Sequence, residues 1–357
     1  MTDCPKLENF FPKNLTISNP DKKLHHLFDE QDCYALWAAY SAGRPLLVRG
    51  KPGTGKSQLA KAIAEQLGWA FVSEVVRGST ELSDLHWHFD AIGRLGEAQA
   101  RGAAGKSTSD GKPDSGDKSD DKPDTKDLSS QLDPLDPLNY LSPGVFWWAY
   151  DWKTAKQQHY ACQSRLHPEP DRPATAGWQP ETGGVVLLLD EIDKAEPDLP
   201  NGLLETLGQY QFGVPHINHT HPKYPVQNPI TADPGRLLIV ITTNEERELP
   251  TAFVRRCFVH TLKMEDSTEL EDNMEKRIHW LAVRGKLHFG GNIAEDVYIQ
   301  AAKLLWQDRA AGAHRRYPPG LAEYIDLLRV LPDLPHQEQR RRLEKIANFA
   351  LSKDAGD

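Results

Sequence analysis

Apolar residues along this chain fall into two kinds of pattern. Short unbroken runs, Leu46-Leu47-Val48, Val185 to Leu189 and Leu237 to Ile241, each give way at once to polar residues. Runs of this length predict strands buried on both faces, as in a parallel sheet. Trp69 to Val76, β-branched and aromatic, predicts another strand, and Phe258 to Leu262 a further one. The second pattern is helical. Leu59, Ile63 and Leu67 stand four apart, which predicts a helix over Ser57 to Leu67, and Gly68, able to take positive φ, stops it. Leu27 to Tyr40 carries a similar stripe. Beyond residue 264 the pattern is helical throughout, over Met274–Val283, Val297–Trp306, Leu321–Leu331 and, more weakly, Leu343–Leu351.

These elements predict an α/β domain over 27–263, a parallel sheet flanked by helices, and then a small C-terminal α-helical unit over 264–357. Residues 1–26 read as a polar, lightly ordered lead-in. Residues 101–139 are Gly, Ser, Lys, Asp and Pro with almost no apolar side chain before Leu128. Such a segment buries too little surface to offset its ordering entropy and is expected to be a disordered insertion, with a charged tether for a partner as the alternative. Order returns at Tyr140 to Tyr150, where aromatic density points to core, and 160–182 is again proline-rich and loop-like.

The chemistry lies at the ends of the apolar runs. Gly50-Lys51-Pro52-Gly53-Thr54-Gly55-Lys56-Ser57 fits G-x-x-x-x-G-K-[ST] without a mismatch, between a predicted strand and a predicted helix. Glycines let backbone N–H groups close around phosphate oxygens, and a helix N-terminus adds partial positive charge. Lys56 reaches β and γ phosphates, Ser57 can hold Mg²⁺, and Gln58 follows in the first helical turn as a further nucleotide contact. Asp190 and Glu191 end the second run, where ligands bind in open α/β sheets. There Asp190 would hold Mg²⁺ through water and Glu191 would polarise an attacking water; a helix-capping pair is the alternative. Asn244 ends the third run, placed to hydrogen-bond that water or the γ-phosphate, although a lone Asn there is more often a turn former. Arg255-Arg256 closes a short helix and is a candidate source of a cation for phosphoryl transfer, or else a surface ion-pair partner.

Composition narrows the class. Hydrophobic residues make up 39% and charged residues 26% of 357, in keeping with a globular chain. A net charge of −9 argues against direct nucleic-acid binding, which needs a basic face. No apolar run approaches the ~18 residues of a membrane span, and the first nineteen residues lack the apolar core of a secretory signal. Cys4, Cys33, Cys162 and Cys257 lie far apart and read as reduced thiols, so a cytoplasmic location is expected. His216, His219 and His221 have a residue type zinc would accept, but no cysteine or acid stands near at ligand spacing.

In this order the loop at 50–57, Asp190-Glu191, Asn244 and Arg255/Arg256 resemble AAA+ ATPases, and more narrowly the MoxR-like branch related to the dynein-type subfamily. Asp84-Leu85-His86-Trp87 in an insert after the second strand, Asp190-Glu191-Ile192-Asp193-Lys194-Ala195, and Leu249 to Cys257 carry the narrower likeness. The resemblance covers roughly 27–100 and 140–350 and implies a P-loop NTPase core with a helical lid. It implies an ATP- and Mg²⁺-dependent ATPase working as a homo-oligomeric ring, usually a hexamer. Arg256, or failing it Arg255, would act on a neighbour's nucleotide. The insert at 77–99 and the hairpin at 212–230 would face the ring's centre or substrate. A remodelled protein partner, of von Willebrand A type in many relatives, is implied; a motor or switch in a nucleic-acid-associated restriction or phage-defence complex is the alternative. The lid arginine expected at the start of the third lid helix is absent: the place reads Arg315-Arg316-Tyr317-Pro318-Pro319-Gly320-Leu321-Ala322, so either Arg316 substitutes or that sensor is missing.

Overall fold

The computed structural model describes residues 4–107, 133–162, 168–173, 177–215, 228–262, 273–311 and 319–351. The chain opens with a hairpin of β1 (Thr16–Asn19) and β2 (Leu24–Leu27), then α1 (Glu30–Ser41), β3 (Leu46–Arg49), α2 (Lys56–Leu67) and β4 (Ala70–Val75). An inserted region follows, with α3 (Leu82–His86), β5 (Trp87–Phe89), α4 (Ala91–Ser107), β6 (Leu141–Pro143), α5 (Val145–Tyr150) and α6 (Trp152–Ala161). Next come β7 (Val185–Asp190), α7 (Asp198–Gln209), the short β8 (Gln211–Phe212) and β9 (Ile230–Thr231), β10 (Leu237–Thr243), α8 (Thr251–Val254) and β11 (Phe258–Thr261). The C-terminal unit is α9 (Asn273–Phe289), α10 (Glu295–Ala311), α11 (Leu321–Arg329) and α12 (His336–Ala350).

Five strands pair in parallel in the order β11–β3–β10–β7–β4. The period-2 geometry of a strand explains why the runs are apolar at every position. Leu47, Leu187, Leu189, Ile239 and Ile241 point to one face and join a cluster with Phe146, Trp147 and Phe253. Leu46, Val48, Val186, Leu188, Leu238 and Val240 point to the other and join Leu36, Leu59 and Ile63 of α1 and α2. Both faces are therefore covered, and each fully buried Leu, Ile or Val contributes roughly 1.5–3 kcal/mol. The arrangement is the expected α/β core with a helical unit after it. That unit has its own core, with Tyr298, Trp306, Tyr324, Leu328 and Leu343 at its centre.

Two expectations need correction. The lead-in is structured: Phe10 is fully buried and packs on Tyr40 with ring centroids 5.3 Å apart, and β2 precedes α1, so the helix starts at Glu30 rather than Leu27. Apolar anchors in otherwise polar sequence, and pairing of β1 with β2, supply the order. The insertion is also structured at both ends. α4 runs on to Ser107, helped by the good helix formers Ala98, Ala100 and Ala103. A turn at Pro137–Tyr140 buries Leu138, whose carbonyl accepts from Gln158 Nε2 at 2.7 Å. Residues 108–132 lie outside the described residues, as do the three spaced histidines, Arg315 and Arg316.

The aromatic block is core. Trp147 donates from Nε1 to Thr154 Oγ1 at 3.0 Å, and Tyr150 from its hydroxyl to the Thr206 carbonyl at 2.9 Å, so their polar ends are satisfied inside. His86 of α3 stacks on Phe212 (centroids 4.4 Å, planes 5° apart) and shares a 2.9 Å hydrogen bond with Thr206 of α7. The insert is thus fastened to the sheet domain through α7. The helical unit meets the sheet domain differently: Arg284 of α9 lies 3.6 Å from Asp29 at the N-terminus of α1, and His288 sits against His25 with centroids 4.9 Å apart. No disulfide forms among the described residues, and burial pushes the Cys33 and Cys257 thiols up to about 12.

Candidate functional site

The C-terminal ends of three adjacent parallel strands, β3, β10 and β7, and the loops that follow them converge at one end of the sheet. β3 ends at Arg49, and the loop Gly50–Gly55 turns the chain into α2. Gly55 caps that helix at φ 94°, ψ 17°, a conformation with a steric penalty for any other residue. Gly53, at φ 78°, lies under the helical unit: a Cβ there would stand 3.1 Å from Ala322 Cβ. Thr54 ties the loop by donating to the Lys51 carbonyl at 2.9 Å.

Lys56 is the buried cation of this loop. Its Nζ donates to the carbonyls of Gly50 (2.7 Å) and Lys51 (3.0 Å) and to Asn244 Oδ1 (2.7 Å). Burial lowers its pKa, opposed by the carboxylates of Asp190, Asp193, Glu191 and Glu245. Ser57 donates to Asp190 Oδ2 at 2.7 Å, and the buried Thr242 hydroxyl donates to Asp190 Oδ1. The same Thr242 oxygen accepts from the Glu191 N–H at 2.9 Å. This bond helps hold Glu191 at φ 59°, ψ 46°, a left-handed conformation costing a non-glycine residue about 1 kcal/mol. The Glu191 carboxylate accepts from Asn244 Nδ2 at 3.1 Å and from Lys194 Nζ at 2.7 Å. That bond raises the Lys194 pKa. Asn244, just past β10, therefore bridges the lysine that opens α2 and the glutamate that follows β7, the neighbours on either side of β10 being β3 and β7.

Pro52, Gly53, Gly55, Lys56, Ser57 and Gln58 share a cleft of about 410 Å³ with Asp190, Glu191 and Asn244. Its opposite wall is α11, with Leu321, Ala322, Ile325, Asp326 and, about two turns from the helix start, Arg329. Arg329 holds Asp326 at 2.9 Å. A larger cleft of about 780 Å³ lies along α2 and the outer edge of β4 and shares only Gln58 with this one. The glycine loop, the helix N-terminus and the buried lysine suit a nucleotide polyphosphate. The donor set suits Mg²⁺, which takes one or two protein oxygens and keeps water and phosphate oxygens for the rest: Asp190 and Ser57 would hold it. Among the described residues no group of three or more His, Cys, Asp or Glu forms a metal site, and a Mg²⁺–nucleotide site does not need one.

The parallel sheet, its flanking helices and the glycine loop make an α/β fold of P-loop NTPase type. No family model matches the chain, and no curated protein matches it. Among solved structures, one similar chain is a Cytophaga hutchinsonii protein provisionally named an ATPase. The two share 13% identity at a TM-score of 0.33, over 88% of this chain and 78% of the other, a likeness too distant to carry an argument.

Of the residues singled out in the sequence, the structure brings together the loop, Asp190, Glu191 and Asn244. It leaves Arg255 and Arg256 elsewhere. Phe258 pairs with Leu46, at the start of β3, and Arg44 donates to the carbonyls of Arg255 and Arg256. Both arginines are exposed and sit at the opposite edge of the sheet from the phosphate loop, where Arg256 Nη1 donates to the Leu204 carbonyl at 2.6 Å. Four further residues emerge only here: Asp193, Lys194, Thr242 and Arg329. Asp193 and Lys194 stand in the sequence beside the acid pair, but their partners are decided by the fold.

Proposed function

We propose that this chain hydrolyses ATP with Mg²⁺, and that it belongs with the AAA+ ATPases of MoxR-like type. The observation that carries the reading is the chain of contacts Lys56–Asn244–Glu191 beside the Ser57–Asp190 pair, at the mouth of one cleft. N–H groups of the loop and of the first turn of α2 bind the β and γ phosphates, and Lys56 exchanges its carbonyl partners for phosphate oxygens. Asp190 and Ser57 would hold Mg²⁺, which would supply neutralising charge to the phosphate oxygens. Glu191 accepts a proton from water as that water adds to the γ-phosphorus and the bond to the β–γ bridging oxygen breaks, giving ADP and phosphate. Asn244 fixes where Glu191 and the water stand. Arg329 adds positive charge from the helical side.

No arginine of the sheet domain reaches the cleft from α8, so in this reading Arg256, with Arg255 as second candidate, serves the cleft of a neighbouring copy in a ring, expected to be a hexamer. The ring would couple hydrolysis to remodelling of a protein partner, for which a von Willebrand A domain is the expected class. The net charge of −9 weighs against direct action on nucleic acid.

Two variants test the core of the proposal. Lys56→Ala is expected to lose ATP affinity, and Glu191→Gln to bind ATP but turn over at least ~100-fold more slowly. Phosphate release and binding of a fluorescent ATP analogue measure both. Unchanged binding in the first, or near-normal hydrolysis in the second, rejects the assignment.

A further inference from the structure

Asp193 is the most deeply buried carboxylate among the described residues, at 1% exposure. It makes no salt bridge within 4.0 Å among those residues, and its oxygens bind backbone instead. Oδ1 accepts from the Asn244 N–H at 3.3 Å and Oδ2 from the Glu246 N–H at 2.9 Å. Between these two amides Glu245 adopts φ 60°, and its own N–H turns the other way, to Thr243 Oγ1 at 2.9 Å. Alternating backbone of this kind makes a concavity of N–H groups that favours an anion. Here the anion is supplied by the chain itself, from the turn after β7. The turn it organises is the one that presents Asn244.

We propose that Asp193 is the positioning residue of this site: it fixes the turn after β10 so that the Asn244 side chain bridges Lys56 and Glu191. The inference rests on the nucleotide-hydrolysing reading above. Two N–H donors need two acceptor oxygens, which aspartate has and asparagine lacks. Asp193→Asn keeps shape and volume but turns an NH₂ toward one of the two amides. The turn then loses one of its two ties, and Asn244 loses its fixed place. Hydrogen bonds to a charged group are worth about 1.5–3 kcal/mol, so turnover should fall at least ~10-fold. Nucleotide affinity should stay within ~3-fold, because the loop keeps its own ties and Lys56, though it loses Asn244, keeps the carbonyls of Gly50 and Lys51.

The experiment measures kcat by phosphate release, and Kd with a fluorescent ATP analogue, for the full chain and for Asp193→Asn, Asn244→Ala and the double variant. The expected result is a fall in kcat for each single variant, an affinity close to the parent's, and a double variant within ~2-fold of Asn244→Ala, because both changes remove the same function. A merely structural role would give independent, multiplying effects. Thermal unfolding of each variant checks that it folds. If Asp193→Asn does not fold, Asp193→Ser, which leaves the amides to water, is expected to give the same pattern. Full turnover in Asp193→Asn, effects that multiply in the double variant, or a normal rate in Asn244→Ala overturns this inference alone. A parent chain that hydrolyses no ATP overturns the functional reading and this inference together.

Discussion

His86 offers a measurement of how the insert is fastened. It is 7% exposed, stacked on Phe212 and bonded to the Thr206 hydroxyl, and burial lowers its pKa to about 4 from 6.5. The folded protein therefore binds fewer protons at His86 than the unfolded chain does between those values. Stability rises with pH across that window. It is complete above pH ~6.5 and is lost as pH falls toward 4. At about 1.4 kcal/mol for each pKa unit, the full effect is on the order of 3 kcal/mol for this one residue. His26 and His288, also lowered to about 4 by burial, act in the same direction, so the parent curve carries several such contributions. The perturbation is His86→Phe, which keeps the ring on Phe212 and removes the titrating group. Urea unfolding at pH 7.5, 6.5, 5.5 and 5.0 gives the slope. The variant is expected to lose about 1–2 kcal/mol at pH 7.5, from the broken bond to Thr206, and to show a distinctly flatter pH dependence. A slope equal to the parent's would refute the reasoning, since it would mean that His86 titrates normally in the folded state.

Three other outcomes follow from particular contacts. Arg329→Ala should weaken binding of a fluorescent ATP analogue by roughly 3–10-fold, in keeping with a solvent-screened charge at the cleft wall, and unchanged affinity would remove Arg329 from the site. Arg256→Ala mixed with Lys56→Ala should regain activity that neither has alone, because a mixed ring contains intact shared sites. Phe10→Ala should cost about 3–5 kcal/mol in urea unfolding despite its place in a polar N-terminal stretch, because the ring is fully enclosed.

Much of the sheet was legible because strands covered on both sides must be apolar at every position, and the runs at 46–48, 185–189 and 237–241 are so. The phosphate loop and acid pair were legible because their chemistry is local: backbone N–H groups and a helix N-terminus lie within eight residues of sequence. Phe10 was not, since Leu7, Phe10 and Phe11 are too few to set a period, and the order of Phe10 comes from Tyr40, thirty positions away. Asp193 was visible only as a letter in a motif, because the amides it binds stand 51 and 53 positions further on. Arg329 was not legible, because the resemblance implies a lid cation at the start of its helix, whereas the cleft wall runs along two turns of it.

The seam between the sheet domain and the helical unit has a mechanical consequence. Each side keeps its own apolar cluster, and Arg284 meets Asp29 and His288 meets His25 where they touch. Prising such a surface apart exchanges contacts between side chains for contacts with water, a nearly even exchange, and leaves both oily interiors shut. The joint is soft while the bodies it connects are stiff. α11 forms one jaw of the cleft and Gly53 the other, so a ligand bound between them would bear on both sides of the joint. On the proposed reading, loss of the γ-phosphate at the cleft would turn the four-helix arm about this joint.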